Sequence, residues 1–140
     1  MPAPRTPLLT VDGVVLVRDP DRPDATRVLL IRRKNDPFRS RWALPGGFVD
    51  VGEDPDDAVA REVAEETGLT GLEFEQFRVY GAPDRGPRGH TVSVVYVAEI
   101  EEPAPAVRGG DDAAEAAWFD VEEVPQMAFD HGEILRDVTG

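Results

Sequence analysis

Residues 54–68, DPDDAVAREVAEETG, carry both ends of one helix in their own local chemistry. Asp54 followed by Pro55 is an N-cap with proline at the first helical position, where its missing N–H costs nothing. Asp56 and Asp57 in the first turn complement the positive end of the helix dipole. Thr67-Gly68 is the stop, because glycine takes the left-handed conformation without a side-chain penalty. Between these ends Val59, Ala60, Val63 and Ala64 form an apolar stripe, and Glu62, Glu65 and Glu66 share a neighbouring arc about 100° wide. Like charges at this spacing repel, so the cluster asks for a counter-ion. A hard divalent cation such as Mg²⁺ or Mn²⁺ prefers carboxylate, carbonyl and water oxygens and suits the three glutamates. Read alone, the helix fits a solvated acidic face equally well.

The rest of the chain reads as strands around that helix. TVDGVVLVR (10–18) and RVLLIRRK (27–34) are β-branched or apolar runs separated by DPDRPDAT, a Pro/Asp-rich turn region. LEFEQFRVY (72–80), HTVSVVYVAEI (90–100) and AAWFD (116–120) are further strand candidates. In the second of these Val92, Val94 and Tyr96 share one face, and Val95 and Val97 the other. A second helix is expected over about 130–138, capped by Asp130, with a short helical turn at VEEVP after Asp120. APDRGPRG (82–89) and EEPAPAVRGGDDAAE (101–115) read as loops. This order predicts one α/β domain, a mixed β-sheet in an α/β/α sandwich, over residues 8–140, with 1–7 as a loose leader.

Composition narrows the partners. A net charge of −13 argues against nonspecific binding to nucleic acid or to an anionic membrane. It also means that an anionic substrate must be met by local arginines or by a bound cation. With no cysteine, disulfides and thiolate metal sites are excluded. No apolar run is long enough for a membrane span and the N-terminus has no apolar signal region, so a cytoplasmic location is expected.

Reading outward from the helix, Gly47, Glu53, Arg61, Glu62, Val63, Glu65, Glu66, Gly68 and Leu69 fill every specified place of Gly-x5-Glu-x7-Arg-Glu-apolar-x-Glu-Glu-x-Gly-apolar. This resembles the signature of the Nudix hydrolases, and WALPGG (42–47) is similar to the segment that leads into it. The resemblance implies that Glu62, Glu65, Glu66 and the carbonyl of Gly46 bind divalent metal, Mg²⁺ with Mn²⁺ as substitute. It implies that Arg61 holds the carboxylates by pairing with Glu53 or Glu65. The reaction implied is hydrolysis of a nucleoside diphosphate linked to another moiety.

Outside the signature, YGAPDRGPRGHTVSVVYVA (80–98) resembles a loop and strand of the small ADP-ribose pyrophosphatase group. ADP-ribose, cleaved to AMP and ribose 5-phosphate, is therefore the leading substrate. The alternatives are (d)NTPs, dinucleoside polyphosphates and other nucleotide sugars. Arg85 and Arg88 are expected to clamp a phosphate or order the substrate loop, and Arg33 is expected to point to the site from its strand end. The general base is expected on the late loop at Glu115, with Asp111 and Asp112 as alternates and Glu53 and Glu65 as competitors. Gly109-Gly110 would let that loop close. Trp42 and Trp118 read as packing residues, His90 and His131 as structural or solvated, and Tyr80 and Phe38 as stacking candidates. A non-catalytic nucleotide-sensing domain is the reading from another class, although such regulators usually carry a DNA-binding domain for which 140 residues leave no room. A homodimer is expected slightly ahead of a monomer.

Overall fold

The computed structural model describes residues 6–87 and 89–140, the side chains of 23 and 24 excepted. Strand β1 (Leu8–Asp19) is its centre. It pairs antiparallel with β2 (Arg22–Arg33) and parallel with β6 (Thr91–Glu101), the latter from Leu8↔Thr91 to Arg18↔Glu101. The sheet runs β3 (Trp42–Ala43), β2, β1, β6, β5 (Glu75–Tyr80), while β4 (Gly46–Phe48) pairs with β1 and β7 (Ala113–Asp120) with β2. The mixed sheet is sandwiched between α1 (Pro55–Thr67) and α2 (His131–Thr139).

Period-2 alternation explains why the sheet needs a helix on each side. Val11 and Val15 of β1, Leu29 and Ile31 of β2 and Tyr96 of β6 pack with Ala58, Val59 and Val63 of α1. Val14 and Leu16, Val28 and Leu30, and Val95 point the other way, onto Ile134 and Leu135 of α2. Each fully buried Val or Leu in these clusters is worth about 1.5–3 kcal/mol relative to exposure. Gly13 belongs to the α1 face, where a Cβ would come within 3.1 Å of Val63.

Several expectations change. The turn expected over 19–26 shrinks to Pro20-Asp21, and β2 begins at Arg22, with an irregular step in the ladder between Arg18 and Asp19. The hairpin end tolerates Pro and Asp because the ladder is already broken there. Leu72 and Phe74 precede β5 and pack on the α1 core from a loop. VEEVP is a turn closed by Glu122 N–H to Asp120 Oδ1 (2.9 Å), not a helix. The N-cap of α1 is as expected, Asp54 accepting from Asp56 N–H at 2.9 Å, and Gly68 lies at φ 81. Its buried stripe differs: Ala60 is exposed, whereas Glu62 (9% exposed) and Glu66 (4%) are buried with Val59 and Val63. The carboxylates stand on the packing face itself, one turn apart, against β4.

Candidate functional site

The site begins with the pairing of β4 on β1, which sets Gly46 opposite Asp12 and Gly47 opposite Val11. A Cβ on Gly47 would stand 2.5–2.6 Å from the Glu62 carboxyl group, and one on Gly46 would stand 2.1 Å from the Val11 carbonyl oxygen. Only glycine lets the strand pass this close, and the space so freed holds carboxylate oxygens. Gly46 N–H donates to Glu66 Oε1 at 2.7 Å.

Arg61 organises the rest. Its Nε and Nη2 donate to the two oxygens of Glu53 (2.8 and 3.0 Å), Nη1 to Glu62 (2.9 Å) and Glu65 (3.2 Å), and Nη2 also to the Phe48 carbonyl (3.1 Å). Arg61 pairs with both expected partners and with Glu62 as well. The carboxylates divide electrostatically. Hydrogen bonding from Arg61, helped by Asp50 N–H, lowers Glu53 to about 2. Burial raises Glu66 to about 8, against the hydrogen bond from Gly46, and burial also raises Glu62. Buried carboxylates whose charge is disfavoured are oxygen donors suited to a cation.

These residues fit a hard divalent ion. Among the described residues no group of three or more acidic or imidazole side chains could hold an ion alone. Mg²⁺ does not need such a cage, since it keeps waters and takes substrate phosphate oxygens beside one or two carboxylates.

Glu62 and Glu66 line a cleft with Asp50, Asp112 and Arg33. The Asp111 carboxylate stands close enough to Glu62 to disfavour its charge, and the late-loop residue that lines this cleft is Asp112. Its neighbours tie the loop down: Lys34 Nζ donates to the Asp111 carbonyl (3.0 Å) and Lys34 N–H to that of Asp112 (3.2 Å). Glu115 lies instead within β7, opposite Arg32 and 3.5 Å from its guanidinium. Because Ile31 and Arg33 line the cleft, the intervening Arg32 and its partner Glu115 project from the other face. The structure does not bring Glu115 to the glutamates. The Gly109-Gly110 pair serves close packing rather than motion, since a Cβ on Gly110 would lie 2.6 Å from the Glu65 carbonyl oxygen.

A second pocket opens beside the first and shares Gly46, Gly47, Phe48, Ile31, Arg33 and Glu66 with it. Arg33 enters this shared wall, its Nε bound to the Pro37 carbonyl (2.8 Å) and its guanidinium 5.0 Å above the Phe129 ring. Arg85 lines the pocket too, but its fork is bidentate to Asp130 (2.8 and 2.9 Å). It orders the loop against α2, and Asp130, expected as a side-chain cap, spends its carboxylate on Arg85 instead. Arg88 lies outside the described residues.

Trp42 and Trp118 are packing residues, the first edge-on to Phe119 at 4.8 Å, the second donating to the Pro105 carbonyl at 2.9 Å. Phe38 packs edge-on against Phe129 at 4.7 Å, and Tyr80 O–H donates to Asp137 at 2.6 Å. His90 reaches the Gly81 carbonyl (2.8 Å). His131 is buried at the pocket floor, and burial lowers its pKa. Sequence reasoning missed Asp12, Ser93 and Phe129. The one available signal was an aspartate inside the apolar run TVDGVVLV, at a position that alternation buries.

Comparisons with known proteins identify the family. The NUDIX domain family model matches residues 8–138, and the chain belongs to the Nudix family. Within that family it is of the Nudix pyrophosphohydrolase class and resembles the ADP-ribose pyrophosphatase group. An ADP-ribose pyrophosphatase of Methanocaldococcus jannaschii is 44% identical over 131 residues, covering 94% of this chain and 72% of the relative. The ADPR responsive transcriptional repressor NtrR of Acinetobacter baylyi is 35% identical, and the match covers 94% of this chain but only 52% of the repressor. The NUDIX domain of Shewanella oneidensis NrtR, solved in complex with ADP ribose, superposes with a TM-score of 0.86 at 31% identity, covering 96% of this chain and 87% of that one. No helix of the described residues is long and apolar enough to cross a membrane.

Proposed function

We propose that the chain is a Mg²⁺-dependent cytoplasmic hydrolase of nucleoside diphosphates linked to a second moiety. Its best substrate is ADP-ribose, which with one water gives AMP and ribose 5-phosphate. The observation that carries this reading is the continuity of two clefts across Gly46, Gly47 and Glu66. One side offers carboxylates for a cation. The other offers arginines and an aromatic wall for what is attached to the phosphates.

Glu62, Glu65, Glu66 and the Gly46 carbonyl would hold the metal, which when bound would supply charge neutralisation for the diphosphate and acidify the attacking water. Arg61 keeps Glu62 and Glu65 at fixed positions, and Glu53 anchors Arg61. A carboxylate held ionised down to about 2 is a poor proton acceptor, which leaves Glu53 a positioning role. Asp112, lining the acidic cleft, is the carboxylate we assign to take the proton of the attacking water. Arg33 stands where the two clefts meet and would meet phosphate there.

The likeness to a repressor responsive to ADPR favours a second reading, in which the same ligand is bound without turnover. Product analysis separates the two on a panel of ADP-ribose, NADH, diadenosine polyphosphates and dNTPs with Mg²⁺. ADP-ribose should give AMP at the highest kcat/KM, and Asp112→Asn should lower kcat by about 10²–10⁴ with little change in KM. Tight binding of ADP-ribose without AMP release would replace the hydrolase by the sensor. Preference for a dNTP would overturn the substrate assignment.

A further inference from the structure

The floor of the second pocket holds a polar pair that the metal chemistry does not use. Asp12 Oδ1 and His131 Nε2 stand 3.6 Å apart, and both residues line the pocket. The other oxygen of Asp12 accepts from Ser93 Oγ–H. Leu44 N–H donates to His131 Nδ1 at 3.0 Å, and a backbone N–H has no other role, so the ring proton sits on Nε2. The pocket floor therefore presents one fixed acceptor beside one fixed donor, at a spacing that a hydroxyl group bridges by giving to one and taking from the other. The wall beside it is the ring of Phe129, at φ 53, a conformation bulky residues rarely adopt and keep only when their surroundings impose it. Phe129, Asp130 and His131 are consecutive, with Asp130 locked to Arg85. A half-buried aromatic ring, which also carries the Arg33 guanidinium 5.0 Å over it, beside a carboxylate and an imidazole N–H is chemistry that suits a sugar ring with adjacent hydroxyls.

We propose that this pocket, with Asp12 and His131 as its floor and Phe129 as its wall, is the subsite for a ribosyl unit, read through its vicinal hydroxyls. The assignment rests on the reading of the substrate as a nucleoside diphosphate with a second moiety. The unit is either the nucleoside ribose or the terminal pentose.

Binding calorimetry on the full chain, with a chelator to stop turnover, tests it with ADP-ribose, its 2′-deoxyadenosine analogue and its terminal 2-deoxyribose analogue. One of the two deoxy compounds should bind about 10- to 100-fold more weakly, and which one identifies the ribose that enters. In Asp12→Asn that penalty should shrink to about threefold or less. The wild-type comparison stands even where the variant fails to fold. Both analogues binding within about twofold of ADP-ribose would overturn the subsite. If ADP-ribose does not bind under chelator, where no cation meets its diphosphate, the product analysis above decides the substrate assignment, and ribo/2′-deoxyribo pairs of adenosine and AMP decide the subsite. Equal affinity within each pair refutes it, and a ribo preference that Asp12→Asn abolishes upholds it.

Discussion

The metal-facing carboxylates Glu62 and Glu66 and the glycines that admit them come from one stretch, residues 46–66, which Asp36, Asp112 and the β2 end complete, whereas the pocket beside it draws Asp12 from β1, Arg85 from the loop before β6 and His131 from the start of α2. The first is written as a local pattern: a glycine pair, a cap, a helix with glutamates one turn apart. The second exists only once strands far apart in the chain have paired. Chemistry common to a family can be stored in a contiguous motif, while recognition of one ligand is spread over loops and strand ends that vary separately.

Substitutions on each side put that division to work. Next to Asp112→Asn, Glu66→Gln should have the largest effect, lowering kcat by about 10²–10³ because a buried metal-facing charge is lost. With chelator above pH 8 the variant should unfold no earlier than wild type, since it no longer buries a carboxylate whose pKa burial lifts to about 8. A kcat within tenfold of wild type would remove Glu66 from the metal set. Arg85→Met should act on the other quantity. It leaves Asp130 without its bidentate partner, so thermal unfolding should show a loss of about 2 kcal/mol. KM for ADP-ribose should rise about tenfold with kcat nearly unchanged, marking a binding element rather than a chemical one. A kcat defect as deep as that of Glu66→Gln would dissolve the division.

The smallest expected effect is a pH slope. Glu53, lowered to about 2 in the folded chain, is fully protonated in the unfolded chain well before it is in the folded one. Its stabilisation is present above the ordinary value of 4.5 and is lost as pH falls towards 2. Glu53→Gln should lower Tm at neutral pH, and the two melting curves should converge in acid. Parallel curves down to pH 2 would show that Arg61 does not depend on Glu53.

What could be read from the chain beforehand follows the same line. Both ends of α1 were legible because a cap and a stop are satisfied by neighbours in sequence. The faces of β6 were legible because alternation is intrinsic to a strand. The depth of Glu62 and Glu66 was not, because a helical wheel treats carboxylates as solvent-facing and only the glycines of β4 admit them to the core. Glu115 was misplaced because two alanines and a glutamate carry little strand signal until Arg32 pairs with them. Two- and three-residue strands such as β3 and β4 have no periodicity to detect.

The parallel pairing of β1 with β6 sets a timetable. Asp12 and Ser93, which share a hydrogen bond, are 81 positions apart, and His131 is made later still. On a ribosome the helix with its glutamates can form as soon as residue 69 has emerged. The pocket waits for nearly the whole chain, because contacts of such long separation form late and slowly. A growing chain thus holds Glu62 and Glu66 long before it can choose what to cut.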